Sequence, residues 1–144
     1  CRRGYTGVAE LLVSRGASIS RFTCRWGAAM SIASHWGHER LVSLLIRHGA
    51  DPTCYSGTVA PPLIIAAKQG HTGVMSLLLD EGGVDVDATD LIGRTALSHA
   101  ASRGMEPVVR FLLAHGAATG IRDVGGLTAA GRARQTRNGG CAEL

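Results

Sequence analysis

The sequence predicts an all-α repeat solenoid, in which antiparallel helix pairs stack side by side and are joined by β-hairpin loops. Two series of glycines carry this prediction, because each recurs at intervals of 33, 33 and 34 residues. The first series is Gly4, Gly37, Gly70 and Gly104, and the second is Gly16, Gly49, Gly82 and Gly116. A unit of this length cannot bury its own apolar side, so neighbouring units must share one continuous core.

The first helix of each unit is expected to end at a glycine of the first series. Small pairs precede these glycines, namely Ala33-Ser34, Ala66-Ala67 and Ala100-Ala101. A glycine just past a helix end can adopt the left-handed conformation that other residues resist. The glycine therefore marks the turn into the second helix.

The second helix runs from the first glycine to the second. A Val or Leu followed one turn later by Leu-Leu-Ile or Phe-Leu-Leu gives it an apolar stripe. Pro107 falls in the first turn of its helix, where a missing N–H does no harm. The extra residue of the third unit lies at 83–85, in a hairpin, where an insertion is easily absorbed.

These recurring motifs resemble the ankyrin repeat, whose signature is T-P-L-H-x-A-A, then G-H, then V-V-x-L-L-L-x-x-G-A-D. The clearest matches are residues 62–67 (PLIIAA), 93–101 (GRTALSHAA) and 48–51 (HGAD). The resemblance implies a single ankyrin-repeat domain over residues 1–144. Its units are a partial one at 1–22, three at 23–55, 56–89 and 90–122, and a degenerate one at 123–144, for which we expect one helix.

Both ends of the sequence lead to the expectation that it is a piece of a longer ankyrin-repeat protein. Cys1 falls near the end of a first helix, and neither end has the polar capping repeat that soluble arrays need. We expect a monomeric array within that larger chain.

Composition excludes several classes of protein. Hydrophobic residues make up 45% of the chain, but the apolar runs fall far short of the roughly 20 residues of a membrane span. The four cysteines follow no metal-ligand or disulfide spacing, so reduced thiols and an intracellular location, cytoplasmic or nuclear, are expected. No metal or other cofactor is predicted.

The resemblance also implies where a partner would bind: the hairpin tips and the two residues before each first-series glycine. Across these 24 positions the sequence has seven basic residues and no acidic one, although the whole chain has 15 basic and 11 acidic residues. The aromatic residues Phe22, Trp36 and Tyr55 fall on the same set. Trp, Tyr and Arg are the residues most often found as interface anchors. The predicted partner-binding residues are Arg25, His35, Trp36, Tyr55, Lys68, Arg94, Arg103 and Arg122.

The sequence therefore predicts a non-catalytic protein–protein interaction module that binds an acidic or phosphorylated segment of a partner. An alternative is a polyanion or nucleic-acid surface extended by Arg132, Arg134 and Arg137, although no nucleic-acid motif is present and a net charge of +4 is small for that purpose. A further alternative is the targeting arm of a larger enzyme.

The chain itself is not expected to be an enzyme. His35 and His38 have a spacing that suits metal ligands on one helix face, but Gly37 breaks the helix between them. Ser98 and His99 are adjacent, which points their side chains apart and makes no catalytic triad. We expect His99 to pack or hydrogen-bond within the first helix of its unit.

Overall fold

The computed structural model describes residues 27–54 and 60–136, and every structural statement below concerns these residues. They form seven helices and no strand. The helices are α1 (Gly27–Trp36), α2 (Glu39–Arg47), α3 (Pro62–Gln69), α4 (Thr72–Asp80), α5 (Ala96–Ser102), α6 (Glu106–Ala114) and α7 (Ala129–Gln135). This confirms the predicted all-α repeat solenoid. α7 lies in the segment assigned to the fifth unit, and the unit bounds themselves stay a prediction.

The helices are arranged in stacked pairs. In the first row α1 packs on α3, α3 on α5 and α5 on α7, whereas in the second row α2 packs on α4. Within units, α1 packs on α2, α3 on α4, and α5 on α6. The core between them is aliphatic, and its fully buried side chains include Met30, Leu63, Ile64, Leu78 and Leu112. Stacking of neighbouring units therefore buries the apolar stripes that the sequence repeats.

The glycine turns are as predicted at most positions. Gly37 and Gly70 have φ of 71° and 81° after α1 and α3, and Gly116 has φ of 81° after α6. The third unit differs, because Gly83 with φ of 61°, and not Gly82, takes the left-handed conformation. Its extra residue lets the turn after α4 run one position further, with the N–H groups of Glu81 and Gly82 both bonding the Leu77 carbonyl.

The predicted hairpins are reduced to an isolated antiparallel bridge between Thr89 and Thr95 in the described part of the chain. Thr95 then caps α5, since its hydroxyl accepts a hydrogen bond from the Ser98 N–H at 3.2 Å. Thr128 caps α7 in the same way, with 3.3 Å to the Gly131 N–H. The fifth unit therefore begins with the same local structure as the fourth.

Cys54 is disulfide-bonded, so the expectation of a reduced thiol is wrong at this residue. The other three cysteines lie outside the described residues. The expectation rested on the spacing of the cysteines in the sequence, but two cysteines can bond wherever the fold brings them within reach, whatever their separation along the chain. The cysteines therefore lend no support to an intracellular location, which stays a prediction.

None of the seven described helices combines the length and the apolar content that crossing a lipid bilayer requires.

We expect Gly37→Ala to lower the free energy of unfolding more than Gly116→Ala. Both glycines have positive φ, which costs roughly 1–2 kcal/mol for any other residue. Only at Gly37 would a Cβ meet a neighbour, since it would lie 2.8 Å from His71 Nδ1, whereas at Gly116 no atom lies within 4 Å. The His71 ring would have to move, weakening its contact with the His35 carbonyl oxygen at 3.1 Å. Urea denaturation of both variants measures the difference, and equal losses would contradict the prediction.

Candidate functional site

A groove of about 400 Å³ lies on the exposed side of the first helix row, between α1 and α3. We call it the α1–α3 groove. It is lined by Ser31, Ile32, His35, Trp36, Ile65, Lys68 and Gln69. Two pairs that the sequence analysis selected, His35-Trp36 and Lys68-Gln69, therefore lie around one cavity.

The repeat period explains why these residues meet. Ile32, His35 and Trp36 have the i, i+3, i+4 spacing that places side chains on one helix face. Ile65, Lys68 and Gln69 follow 33 positions later with the same spacing. Because α1 packs on α3, equivalent positions of the two units form the two walls of the groove.

The α1 wall exposes a large apolar surface. Ile32 is 51% exposed and Trp36 is 43% exposed. The His35 ring meets the Trp36 ring edge to face, with 5.1 Å between the ring centroids. His35 Nδ1 is also 3.3 Å from Gln69 Nε2 on the opposite wall. The imidazole thus links the two walls and supports the indole at the mouth of the groove.

Lys68 supplies the positive charge of the groove. Its side chain is half-buried, and its ammonium group makes no hydrogen bond or ion pair within residues 27–54 and 60–136. Burial is the main cause that lowers the pKa of Lys68 below its ordinary value. Asp90 raises this pKa, and Arg103 and Arg94 lower it further. The groove therefore holds a cation without a direct counter-ion.

Arg103 lies beside Lys68 in the next unit. Its Nη1 donates a hydrogen bond of 2.7 Å to the Lys68 carbonyl oxygen, which fixes the guanidinium at this end of α3. The side chain is exposed, and a guanidinium has five N–H donors. Arg103 can therefore bind an anion without giving up its contact to Lys68.

Asp90 lies beside this basic cluster, but its carboxylate is occupied. Only 6% of the side chain is exposed, and Oδ2 is 2.7 Å from His99 Nε2. Oδ1 accepts hydrogen bonds from the N–H groups of Ile92 and Arg94, at 3.0 Å and 2.9 Å. Burial alone would raise the pKa of Asp90, but these hydrogen bonds lower it overall. Burial is the main cause that lowers the pKa of His99 below its ordinary value, although the hydrogen bond to Asp90 raises it. These directions favour a neutral imidazole that donates to an ionised carboxylate at neutral pH.

Asp123 repeats this arrangement one unit later with a different partner. Its Oδ1 accepts from the N–H groups of Gly125 and Leu127, at 2.9 Å and 3.2 Å. Its Oδ2 is 2.6 Å from Arg132 Nε and 3.4 Å from Arg94 Nε. The hydrogen bond from Arg132 is the main cause that holds the pKa of Asp123 far below its ordinary value. Arg94 is thus partly neutralised from the neighbouring unit.

The structure brings together part of the predicted site. His35, Trp36 and Lys68 line the groove, Arg103 adjoins it, and the charge of Arg94 reaches Lys68. Arg122 is exposed in the loop that precedes α7 and does not line the groove. It donates a hydrogen bond of 2.9 Å to the Gly126 carbonyl oxygen. Arg25 and Tyr55 lie outside the described residues. The binding roles of all eight residues stay predictions.

Five residues escaped the sequence analysis: Ser31, Ile32 and Ile65, which line the groove, and the loop aspartates Asp90 and Asp123. Ile32 and Ile65 form the apolar walls of the groove, and their spacing before Trp36 and Gln69 was the available signal. Asp90 and Asp123 hold the hairpins, and an Asp shortly before a glycine is typical of a turn in which the carboxylate binds backbone N–H groups. The charge count of the predicted face left out these two carboxylates.

No group of three or more His, Cys, Asp or Glu side chains in the described part of the chain could hold a metal ion. His38 and His35 are the nearest to a ligand pair in the sequence, but His35 is engaged by Gln69.

Comparison with protein families identifies the architecture. The family model of ankyrin repeats, in three copies, matches residues 29–123. The chain belongs to the ankyrin-repeat family. Ankyrin repeats are generally protein–protein interaction modules, and ankyrin-repeat domains are typically non-catalytic. Comparison with curated proteins finds no match.

We expect Asp123→Asn to reduce the loss of stability in acid. The native pKa of Asp123 is far below its unfolded value, so its stabilisation is present at neutral pH and is lost as pH falls below about 4. Urea denaturation at several pH values from 7 downward measures the free energy of unfolding. The variant should be less stable than the parent at pH 7 and approach it in acid.

The matched control is Asp85→Asn, because Asp85 is exposed and its carboxylate accepts a single hydrogen bond, from the Asp87 N–H at 2.9 Å. A parallel pH dependence in the parent and in Asp123→Asn would contradict the ion pair with Arg132.

Proposed function

We propose that the chain is a non-catalytic protein-binding module, and that the α1–α3 groove with its basic rim binds an acidic or phosphorylated segment of a partner protein. The observation that carries this proposal is the juxtaposition of exposed Ile32 and Trp36 with Lys68, a cation that has no direct counter-ion in the described residues.

The apolar part of the groove would hold an apolar side chain of the segment. An aromatic anchor that closes over such a side chain contributes much of the affinity of an interface. Trp36 is suited to this role because His35 already restrains its ring, so little further ordering is required on binding. Ile32 and Ile65 complete the apolar walls.

The charged part would bind a carboxylate or a phosphate further along the segment. Such an anion would give the Lys68 ammonium the partner that it lacks. Arg103 has further N–H donors, and a guanidinium can fork onto two oxygens of one anion. The described geometry thus supports one apolar anchor followed by one acidic anchor, running from α1 towards α5.

A nucleic-acid or other polyanion surface has weaker support. The predicted extension used Arg132, Arg134 and Arg137, but Arg132 is paired with Asp123, and Arg137 lies outside the described residues. Arg94 is likewise shared with Asp123. If the chain belongs to a larger enzyme, the array would serve as its targeting arm, with the groove as its binding site.

We expect the double variant Trp36→Ala, Arg103→Glu to lose partners that the parent chain retains. The parent, the variant and a control are immobilised, exposed to nuclease-treated lysate, and the retained proteins are quantified. The control is Arg40→Glu, an exposed charge reversal in the first turn of α2 and outside the groove. Removal of an aromatic anchor costs about 2 kcal/mol or more of binding free energy.

A synthetic array of segments from the retained proteins then tests the chemistry. Replacement of the acidic residue or the apolar residue by Ala is expected to weaken binding to the parent chain. Equal retention by the parent and the double variant would overturn the proposal. The same capture from untreated lysate is the comparison, and binding that is present there but lost after nuclease treatment would favour a polyanion instead.

A further inference from the structure

Lys68 is the single lysine of the 144-residue sequence, since the other 14 of its 15 basic residues are arginine. It is also the basic residue that lines the α1–α3 groove, together with the imidazole of His35. Every lysine-directed reaction of this chain therefore takes place in the groove or not at all.

The surroundings of Lys68 lower its pKa and so increase the small fraction of the amine that is uncharged near neutral pH. The Arg103 guanidinium is held next to it by the 2.7 Å hydrogen bond to the Lys68 carbonyl oxygen, and Arg94 adds a second nearby positive charge. Asp90, the carboxylate whose charge acts on Lys68, is already bound by His99 and by two backbone N–H groups. Arginine does not deprotonate in proteins, so repulsion among these cations adds to burial in lowering the pKa of Lys68.

The side chain remains accessible, because it is half-buried along an open groove. Ile32, Trp36 and Ile65 give that groove apolar walls that could hold the carbon chain of an acyl group. An uncharged, desolvated lysine is a nucleophile, and this is the usual way in which proteins activate a lysine amine.

We propose that Lys68 is an acylation site, whose amine accepts an acyl group from a thioester donor bound against the apolar walls of the groove. The amine nitrogen attacks the thioester carbonyl carbon, a C–N bond forms and the C–S bond breaks. The thiolate leaves and takes up the proton that the amine loses, so the products are an amide and a thiol, with no change of oxidation state.

Acylation would change the chemistry of the groove. The product amide is neutral, so the site would lose its one ammonium group and gain an apolar chain along Ile32 and Ile65. This consequence rests on the proposed function: a groove that binds an acidic segment through Lys68 would bind it less tightly after acylation. The acylation itself does not depend on that function.

The rate of acetylation by acetyl coenzyme A at pH 7.5 tests the proposal. The parent chain is compared with an Nα-acetylated peptide of residues 64–72, and the modified position is located by mass spectrometry. We expect Lys68 in the folded chain to react several-fold faster than the lysine of the peptide. Lys68→Arg is the negative control, because it leaves no lysine to react.

Arg103→Gln provides a second comparison, since it removes the adjacent charge. Its circular dichroism spectrum must match that of the parent, and Lys68 is then expected to react more slowly than in the parent. A parent chain that reacts at the rate of the peptide, or more slowly, would overturn the proposal irrespective of the Arg103 result.

Binding measurements separate this inference from the proposed function. A phosphoserine peptide bearing one apolar residue serves as the probe, with the unmodified chain, the acetylated chain and Lys68→Gln as receptors. Weaker binding by the last two supports regulation of the groove. Fast acetylation with unchanged binding would leave Lys68 as an acylation site and overturn its charge contact with a partner.

Discussion

Each helix pair of this protein can bury its apolar side only against the next pair, and this constraint aligns equivalent positions of successive units. One position of the first helix shows the result. In four successive units it is occupied by Ile32, Ile65, His99 and Arg132. Ile32 and Ile65 form the walls of the groove, whereas His99 binds Asp90 and Arg132 binds Asp123. The backbone repeats while the chemistry of the row changes from apolar to polar along its length.

The hairpin aspartates set where that change occurs. Asp90 and Asp123 each use one carboxylate oxygen to hold two backbone N–H groups of their own turn, and the other to reach the residue nine positions later. The partner of Asp90 is a neutral imidazole, so the negative charge of Asp90 still acts on Lys68 and raises its pKa. The partner of Asp123 is the Arg132 guanidinium, and Asp123 also forms an ion pair with Arg94 from the preceding unit. Positive charge therefore concentrates at Lys68 and Arg103.

The sequence was sufficient to predict the helices and their stacking, because glycine spacing and apolar stripes are local signals. It also placed Trp36 and Lys68 on one surface. It did not predict that Gly83 would replace Gly82 at the left-handed position, since this depends on how the turn after α4 accommodates its extra residue. It missed the walls formed by Ile32 and Ile65 because a groove depends on which side chains face each other across two units. The contact of Asp123 with Arg94 likewise joins two units and was not predicted from the sequence for the same reason.

The loops of neighbouring units are also joined directly. The Val124 N–H donates a hydrogen bond of 3.0 Å to the Ile92 carbonyl oxygen, and the Ala118 N–H donates one of 2.9 Å to Asp87 Oδ1. Hydrogen bonds are directional, whereas the aliphatic contacts between helices can slide. An elongated array bends by small rotations between its units. At the junction of the fourth and fifth units such a rotation would break the Val124–Ile92 bond and the Arg94–Asp123 pair, whereas the Ala118–Asp87 bond joins the third and fourth units. The junction between the fourth and fifth units is therefore expected to be a stiff segment of the solenoid.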